Sequence, residues 1–335
     1  MRTPDVSVSR RMVLGLLGSS MLPAAEEFAG QLENLVLPLG GELGFSLLHV
    51  ESGERISIRG GERFAMASIY KLPIAIAVLD AVDKGTLSAS QVMRLKPEDL
   101  RLGLGTDEVA RLVGNNGYDF RLDELLRRML VDSDNAASDA LLGLVGAAAV
   151  TNRMAALGVP AIRVDRPELH LLLDFVGAST AEPTGGWSVE QIRQRYRSAN
   201  SAQRRAALAA FCADPRDTAT PDAMVELLFK VHRGEVLQPA SGRLLLEYLE
   251  QCATGPNRLR GKLPADARFL HRTGTTDSTD GVTAGTNDVG ILHLPKRGGT
   301  VILAAFLRGS RGGMAERAAV LASIGRAVAL RYSGM

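Results

Sequence analysis

A chain of 335 residues that is 46% hydrophobic and 4% aromatic is long and apolar enough to bury a sizeable core, which excludes fibrous and disordered classes. A formal net charge of +2 offers no basic stripe for neutralising many phosphates at once, so nucleic acid is excluded as a partner. Cys212 and Cys252 lie far apart without a C-x-x-C, and the five histidines are scattered, so no metal site and no cofactor is expected.

In chain order, the first element is a leader. Ser9-Arg10-Arg11-Met12-Val13-Leu14 sets paired arginines before an apolar run that ends at Leu22-Pro23-Ala24-Ala25, which reads as a twin-arginine export signal over residues 1–25. The run is shorter than the roughly 20 residues a spanning helix needs, so no stable membrane insertion is expected once the signal is removed. The remainder, formally neutral, is expected to be periplasmic or secreted, and monomeric. Helical patterning follows from Glu26 to Leu35. Leu43 to His49 and Arg55 to Arg59 then read as strands joined by the turn-forming Glu51-Ser52-Gly53-Glu54. The middle is helical in pattern: Ile69 to Asp83, Leu122 to Met129, Asn135 to Val145, Pro221 to His232 and Ser241 to Gln251. Ser188 to Ala213, with Arg193, Arg195, Arg197, Arg204 and Arg205, reads as a helix with a solvated face. Strands return at Arg268 to His271, Val289 to Leu294 and Thr300 to Arg308, and Met314 to Arg331 reads as a closing helix. These elements predict an α+β fold in three α-β-α layers. Its antiparallel sheet comes from both chain ends and is flanked by terminal helices, with an all-helical lobe over about 66–260 inserted between.

Three short motifs carry chemistry. Ser68-Ile69-Tyr70-Lys71 opens an apolar helix, and three residues are nearly one turn, so the Lys71 amine can lean toward the Ser68 hydroxyl. An amine crowded by apolar neighbours is pushed toward its neutral form and can accept the serine proton. Ser133-Asp134-Asn135 supplies a hydroxyl that could relay a proton to a leaving nitrogen, and an amide that could grip a substrate carbonyl. Arg272-Thr273-Gly274-Thr275 ends a predicted strand. There Arg272 and Thr273 could hold a substrate carboxylate, Gly274 permits close backbone approach, and Thr275 offers an amide to an oxyanion. Each motif alone recurs by chance; their order as helix start, loop and strand end in one chain does not.

S-x-x-K, S-D-N and a K-T-G-like triplet in that order resemble the class A β-lactamases and penicillin-binding proteins. The likeness extends to Glu62-Arg63-Phe64-Ala65-Met66-Ala67-Ser68, Arg216-Asp217-Thr218-Ala219-Thr220-Pro221 and Gly255-Pro256-Asn257-Arg258-Leu259-Arg260, and covers nearly all of residues 26–335 as one catalytic domain. It implies that Ser68 is acylated by a β-lactam carbonyl, that Lys71 and Ser133 carry protons, and that the amides of Ser68 and Thr275 form the oxyanion hole. Arg272 departs from the family's usual lysine but keeps the positive charge.

A second departure concerns the family's E-x-x-L-N loop, whose glutamate activates the deacylating water. The corresponding stretch is Arg163-Val164-Asp165-Arg166-Pro167-Glu168-Leu169-His170-Leu171. Aligned on Pro-Glu-Leu, Arg166 occupies the glutamate's place; aligned on E-x-x-L, Glu168 is the glutamate and Leu172 replaces the asparagine; a third register offers Asp165. The distance from S-D-N favours Glu168. Asp217, similar to the loop-closing aspartate, follows Glu168 by 49 residues. That spacing implies an insertion over about 174–214. Two further readings stand beside a β-lactamase: a penicillin-binding-protein-like or other serine acyl hydrolase with slow deacylation, which Arg166 at the site would favour, and a binding protein that keeps the fold without chemistry.

Overall fold

The computed structural model describes residues 21–103, 107–179 and 186–333, so the expected leader lies almost wholly outside the described residues. The first described element, helix α1 (Met21–Val36), starts ahead of the expected Glu26, and the backbone at Leu22–Ala25, where the apolar run of the expected leader ends, is helical.

Five strands form an antiparallel sheet: β1 (Glu42–His49), β2 (Arg55–Ile58), β3 (Arg268–Thr275), β4 (Thr286–His293) and β5 (Thr300–Arg308), in the spatial order β2-β1-β5-β4-β3. β1 pairs with β5 from Glu42 opposite Arg308 to His49 opposite Val301, so the two chain ends meet at the centre. Strand side chains alternate between faces. On β5, Val301, Leu303, Ala305 and Leu307 pack with Phe28, Leu32, Leu321 and Ile324 of the two terminal helices, while Ile302, Ala304 and Phe306 pack into the helical lobe. A strand covered on both faces has no polar side to show, hence its unbroken apolar run. β3 is an edge strand, and its free side faces the lobe that carries the other motifs.

The lobe is organised around α2 (Lys71–Asp83), whose residues from Lys71 to Leu79 are all buried. A helix apolar on every side must be surrounded, and here α3 (Asn135–Val145) and the helices Ala147–Ala156 and Pro239–Glu250 surround it. Pro73 sits in the first turn of α2, where a missing N–H costs nothing.

The boundaries depart from the sequence reading where the chain is strained. The helix expected from Ile69 begins instead as a 3-10 turn, Ala67–Tyr70, preceded by Met66 and containing Ala67 at φ 47°. The helix expected to Met129 ends at Arg127 and passes into one π-helical turn, Arg128–Asp132, which stops at Ser133 with φ 67°. Left-handed backbone at a non-glycine residue costs about 1–2 kcal/mol, and here it occurs on both sides of the candidate nucleophile's surroundings. A two-stranded antiparallel sheet pairing Val92–Leu95 with Tyr118–Arg121 was not expected within the lobe. The arginine-rich segment is two helices rather than one, α5 (Val189–Ser198) and α6 (Ser201–Ala213), following α4 (Glu168–Val176). Ser188 with Gln191 and Asn200 with Gln203 form capping boxes that start each, a signal readable in the sequence.

Candidate active site

The floor of the site is where β3 meets the Ser68 turn. A Cβ on Gly274 would lie 2.3 Å from the Met66 carbonyl oxygen, so only glycine allows this approach. Asn287 on β4 pins the same turn, its Nδ2 donating to the Ala65 carbonyl at 2.8 Å and the Met66 carbonyl at 3.2 Å. Ser68 is thereby held against the sheet edge, next to Thr273, Gly274 and Thr275.

Lys71, fully buried, is the hub. Its Nζ lies 3.2 Å from Ser68 Oγ, 3.2 Å from Ser133 Oγ, 2.8 Å from the Ser133 carbonyl, 2.5 Å from Asn135 Oδ1 and 3.0 Å from Glu168 Oε1. An ammonium has three hydrogens, so five acceptors cannot all be served, and the nitrogen can shift between partners as charge moves. Burial drives the Lys71 amine below its ordinary value; the Glu168 carboxylate opposes that shift, and the buried Arg272 guanidinium reinforces it. The turn that gives Ser133 its left-handed backbone aims both its carbonyl and its hydroxyl at Lys71. Asp134 caps α3, its Oδ1 accepting from the Ala137 N–H at 2.7 Å. Asn135 spans the gap to the next segment, its Nδ2 donating to the Leu102 carbonyl at 2.7 Å.

Arg272 is the residue that the sequence offered for a substrate carboxylate. It has no solvent exposure, donates from Nη2 to Ser133 Oγ at 2.6 Å and from Nη1 to Thr254 Oγ1 at 3.3 Å, and lies behind the cleft surface. The arginines that do reach the cleft are Arg258 and Arg317, which the motif reading left unused. Arg258 donates to the Gly274 carbonyl at 3.0 Å, to the Asn287 carbonyl at 2.8 Å and to Thr275 Oγ1. Thr273 Oγ1 lies 2.5 Å from Thr254 Oγ1 and also lines the cleft.

The three registers of the E-x-x-L loop come apart in space. Arg166, 6% exposed, points away from Ser68 into three carboxylates: its Nε donates to Asp217 at 2.7 Å, and its Nη1 to Asp174 at 2.5 Å and Asp214 at 3.0 Å. Asp165 turns into the same loop base, accepting from Arg163 at 2.6 Å and from the Asp217 N–H at 3.1 Å. Glu168 is the first residue of α4 and reaches Lys71. Pro167, its N-cap, has no capping side chain, so Asp139 of α3 supplies one: its Oδ1 accepts from the Glu168 N–H at 2.6 Å, while Arg101 pairs with Asp139 at 2.7 Å. Leu172, one turn on, also lines the cleft. Cys212 and Cys252 are both free thiols.

The cleft has a volume of about 590 Å³ and joins Ser68, Ser133, Asn135, Glu168, Thr273 and Thr275 on one surface. A serine hydroxyl, a buried amine, a second hydroxyl and a carboxylate on that surface define a serine acyl-transfer enzyme. The family model of the "Beta-lactamase enzyme family" matches residues 27–332. "Beta-lactamase L2" of Stenotrophomonas maltophilia is 31% identical over 306 residues, 91% of this chain and 84% of its own, and "Beta-lactamase VEB-1" of Pseudomonas aeruginosa is 25% identical over 84% and 82%. Among solved structures, a β-lactamase from Chitinophaga pinensis superposes with a TM-score of 0.74 at 31% identity, covering 91% of this chain and 99% of its own. An ancestral class A β-lactamase superposes at 0.72, with 31% identity and coverage of 91% and 100%. The chain belongs to the β-lactamase enzyme family and has the class A fold.

Proposed function

We propose that this chain hydrolyses β-lactams through a Ser68 ester, with Lys71, Ser133 and Glu168 moving the protons. The observation that carries this reading is the position of Lys71 Nζ, within 3.2 Å of Ser68 Oγ, Ser133 Oγ and Glu168 Oε1 at once. In acylation, Ser68 Oγ bonds to the lactam carbonyl carbon and its proton passes to neutral Lys71, a form that burial favours. The oxyanion is held by the amides of Ser68 and Thr275. The C–N bond then breaks as the proton travels from Lys71 through Ser133 Oγ to the ring nitrogen. Arg272, bonded to Ser133 Oγ, orients that hydroxyl and supports the negative charge gathering in the site. Thr273, Thr275 and Arg258 hold the substrate carboxylate, and Asn135 the side-chain carbonyl. In deacylation, Glu168 takes a proton from water as the water oxygen bonds to the ester carbonyl carbon; the C–O bond to Ser68 then breaks, the proton returns through Lys71 to Ser68 Oγ, and the ring-opened acid leaves.

Slow deacylation with Arg166 at the site is not favoured, because Arg166 is bound to Asp174, Asp214 and Asp217. The enzyme is read as an exported monomer, periplasmic or secreted, delivered by the twin-arginine route. Arg10-Arg11 and the short apolar run after them support that, as does a family match that begins only at residue 27. Among the described residues no helix is long and apolar enough to cross a membrane.

The test is turnover of a chromogenic cephalosporin by residues 26–335, with mass spectrometry of the quenched protein. Ser68→Ala should abolish turnover and adduct together. Glu168→Gln should leave a persistent adduct on Ser68, with turnover reduced about 10²–10⁴-fold, the range for losing a general base. No adduct on Ser68 in either the parent or Glu168→Gln would overturn the assignment.

A further inference from the structure

The helices α5 and α6 enter the cleft itself rather than decorating its outside. Tyr196 and Phe211 stand on its surface beside Leu172 and Phe175 of α4, the helix that carries Glu168. Phe211 meets Phe175 edge to face, with ring centres 5.4 Å apart at 84°, and the buried Ile192 packs in the same apolar cluster. On the other side, the Tyr196 hydroxyl donates to Asp277 Oδ2, and Asp277 lies just beyond the end of β3. Burial, and then the hydrogen bond to Asp277, push the Tyr196 phenol up to about 12, so it remains a donor throughout the neutral range. The helix pair thus closes the span between Glu168 and Thr275.

We infer that α5 and α6 form a specificity wall that takes an aromatic acyl side chain of the β-lactam against Tyr196, Phe211 and Phe175. This rests on the β-lactamase reading and names the substrates it would prefer. Three features select an aromatic occupant. The side chains of Leu172, Phe175, Tyr196 and Phe211 are themselves uncharged; the Arg166 guanidinium 5.7 Å over Phe211 is committed to Asp174, Asp214 and Asp217, and the Arg204 guanidinium 4.9 Å over the Tyr196 ring is committed to the Ala199 and Tyr196 carbonyls. A ring entering beside an edge-to-face pair can extend the same packing. An anionic side chain would meet the Asp277 carboxylate instead, an unfavourable pairing of like charges.

The experiment compares benzylpenicillin, which carries a phenylacetyl side chain, with 6-aminopenicillanic acid, which has the same bicyclic nucleus and none. In Tyr196→Ala and Phe211→Leu, the ratio of kcat/KM for the two substrates should fall about 5–10-fold, the scale of one lost aromatic contact, with most of the change in the benzylpenicillin KM. Tyr196→Phe, which keeps the ring, should recover most of the ratio. A ratio unchanged in both variants, or both substrates falling by one common factor, would overturn the wall while leaving the hydrolase intact. If the unsubstituted protein turns over neither compound, the β-lactamase reading fails and the inference falls with it.

Discussion

Lys71 and Arg272 sit at the floor of the cleft with no exposure to solvent, each bonded to Ser133. Across the cleft, the helices α5 and α6 are tied to the rest of the molecule differently: a small apolar cluster under α4, and polar contacts such as Arg205 to Asp280 at 2.9 Å with both side chains more than half exposed. Buried charges are expensive to leave unpaired, whereas exposed pairs are screened and contribute about 0–1 kcal/mol. The floor therefore tolerates little change in its charged groups. The wall can change in sequence and shape, leaving the reacting atoms where they are. On the proposed reading, catalysis belongs to the buried floor and substrate choice to the more exposed wall.

The largest test of that contrast is removal of the hub. Lys71→Ala should slow formation of the Ser68 adduct about 10²–10⁴-fold, read by stopped-flow mixing and mass spectrometry. Adduct formation within a few-fold of the parent would mean that another group takes the serine proton. The next breaks the joint between floor and wall. Arg166→Leu leaves Asp217, 3% exposed, without its cation; burial already raises that carboxyl, and Arg166 is among the groups holding it down. Unfolding in urea should show a loss of about 3–5 kcal/mol, as for a broken buried pair. A loss under 1 kcal/mol would show that Arg216, bonded to Asp214 at 2.7 Å and near Asp174 at 3.6 Å, takes over.

A gentler probe is the acid limb of acylation. Lys71 must be neutral to accept a proton, so the rate falls as pH drops through its lowered value. The Glu168 carboxylate holds that value up against burial. In Glu168→Gln the limb should therefore move to lower pH, seen in the rate of adduct formation against pH; movement to higher pH would reverse the sign of the coupling. The smallest effect belongs to Arg205→Ala, where stability should change by no more than about 0.5–1 kcal/mol because the pair is exposed. A larger loss would place the wall's stability in its surface charges rather than in the apolar cluster.

Much of this was legible in the chain. Period-2 and period-3.6 patterning, with turn residues between, marked every strand of the main sheet and α1 to α3, because a side chain's burial repeats with local backbone geometry. The spacing of Ser68 to Lys71 placed amine beside hydroxyl within one turn. The left-handed backbone at Ala67 and Ser133, and the π-helical turn before Ser133, left no such mark, since strain there is held by packing from distant segments. The E-x-x-L loop was only partly legible. Glu168, Arg166 and Asp165 lie within four residues, and a window that short admits three registers, among which only the distance from S-D-N favoured Glu168. What separates them is Asp139 holding the Glu168 amide from another helix, and three aspartates, two of them over 45 residues downstream, drawing Arg166 away. Local sequence thus determined which elements form and which side chains can react. Contacts distant in sequence decided which carboxylate faces the amine, that Arg272 stands behind Ser133, and that α5 and α6 border the cleft, because burial and charge pairing exist only once distant segments are packed together.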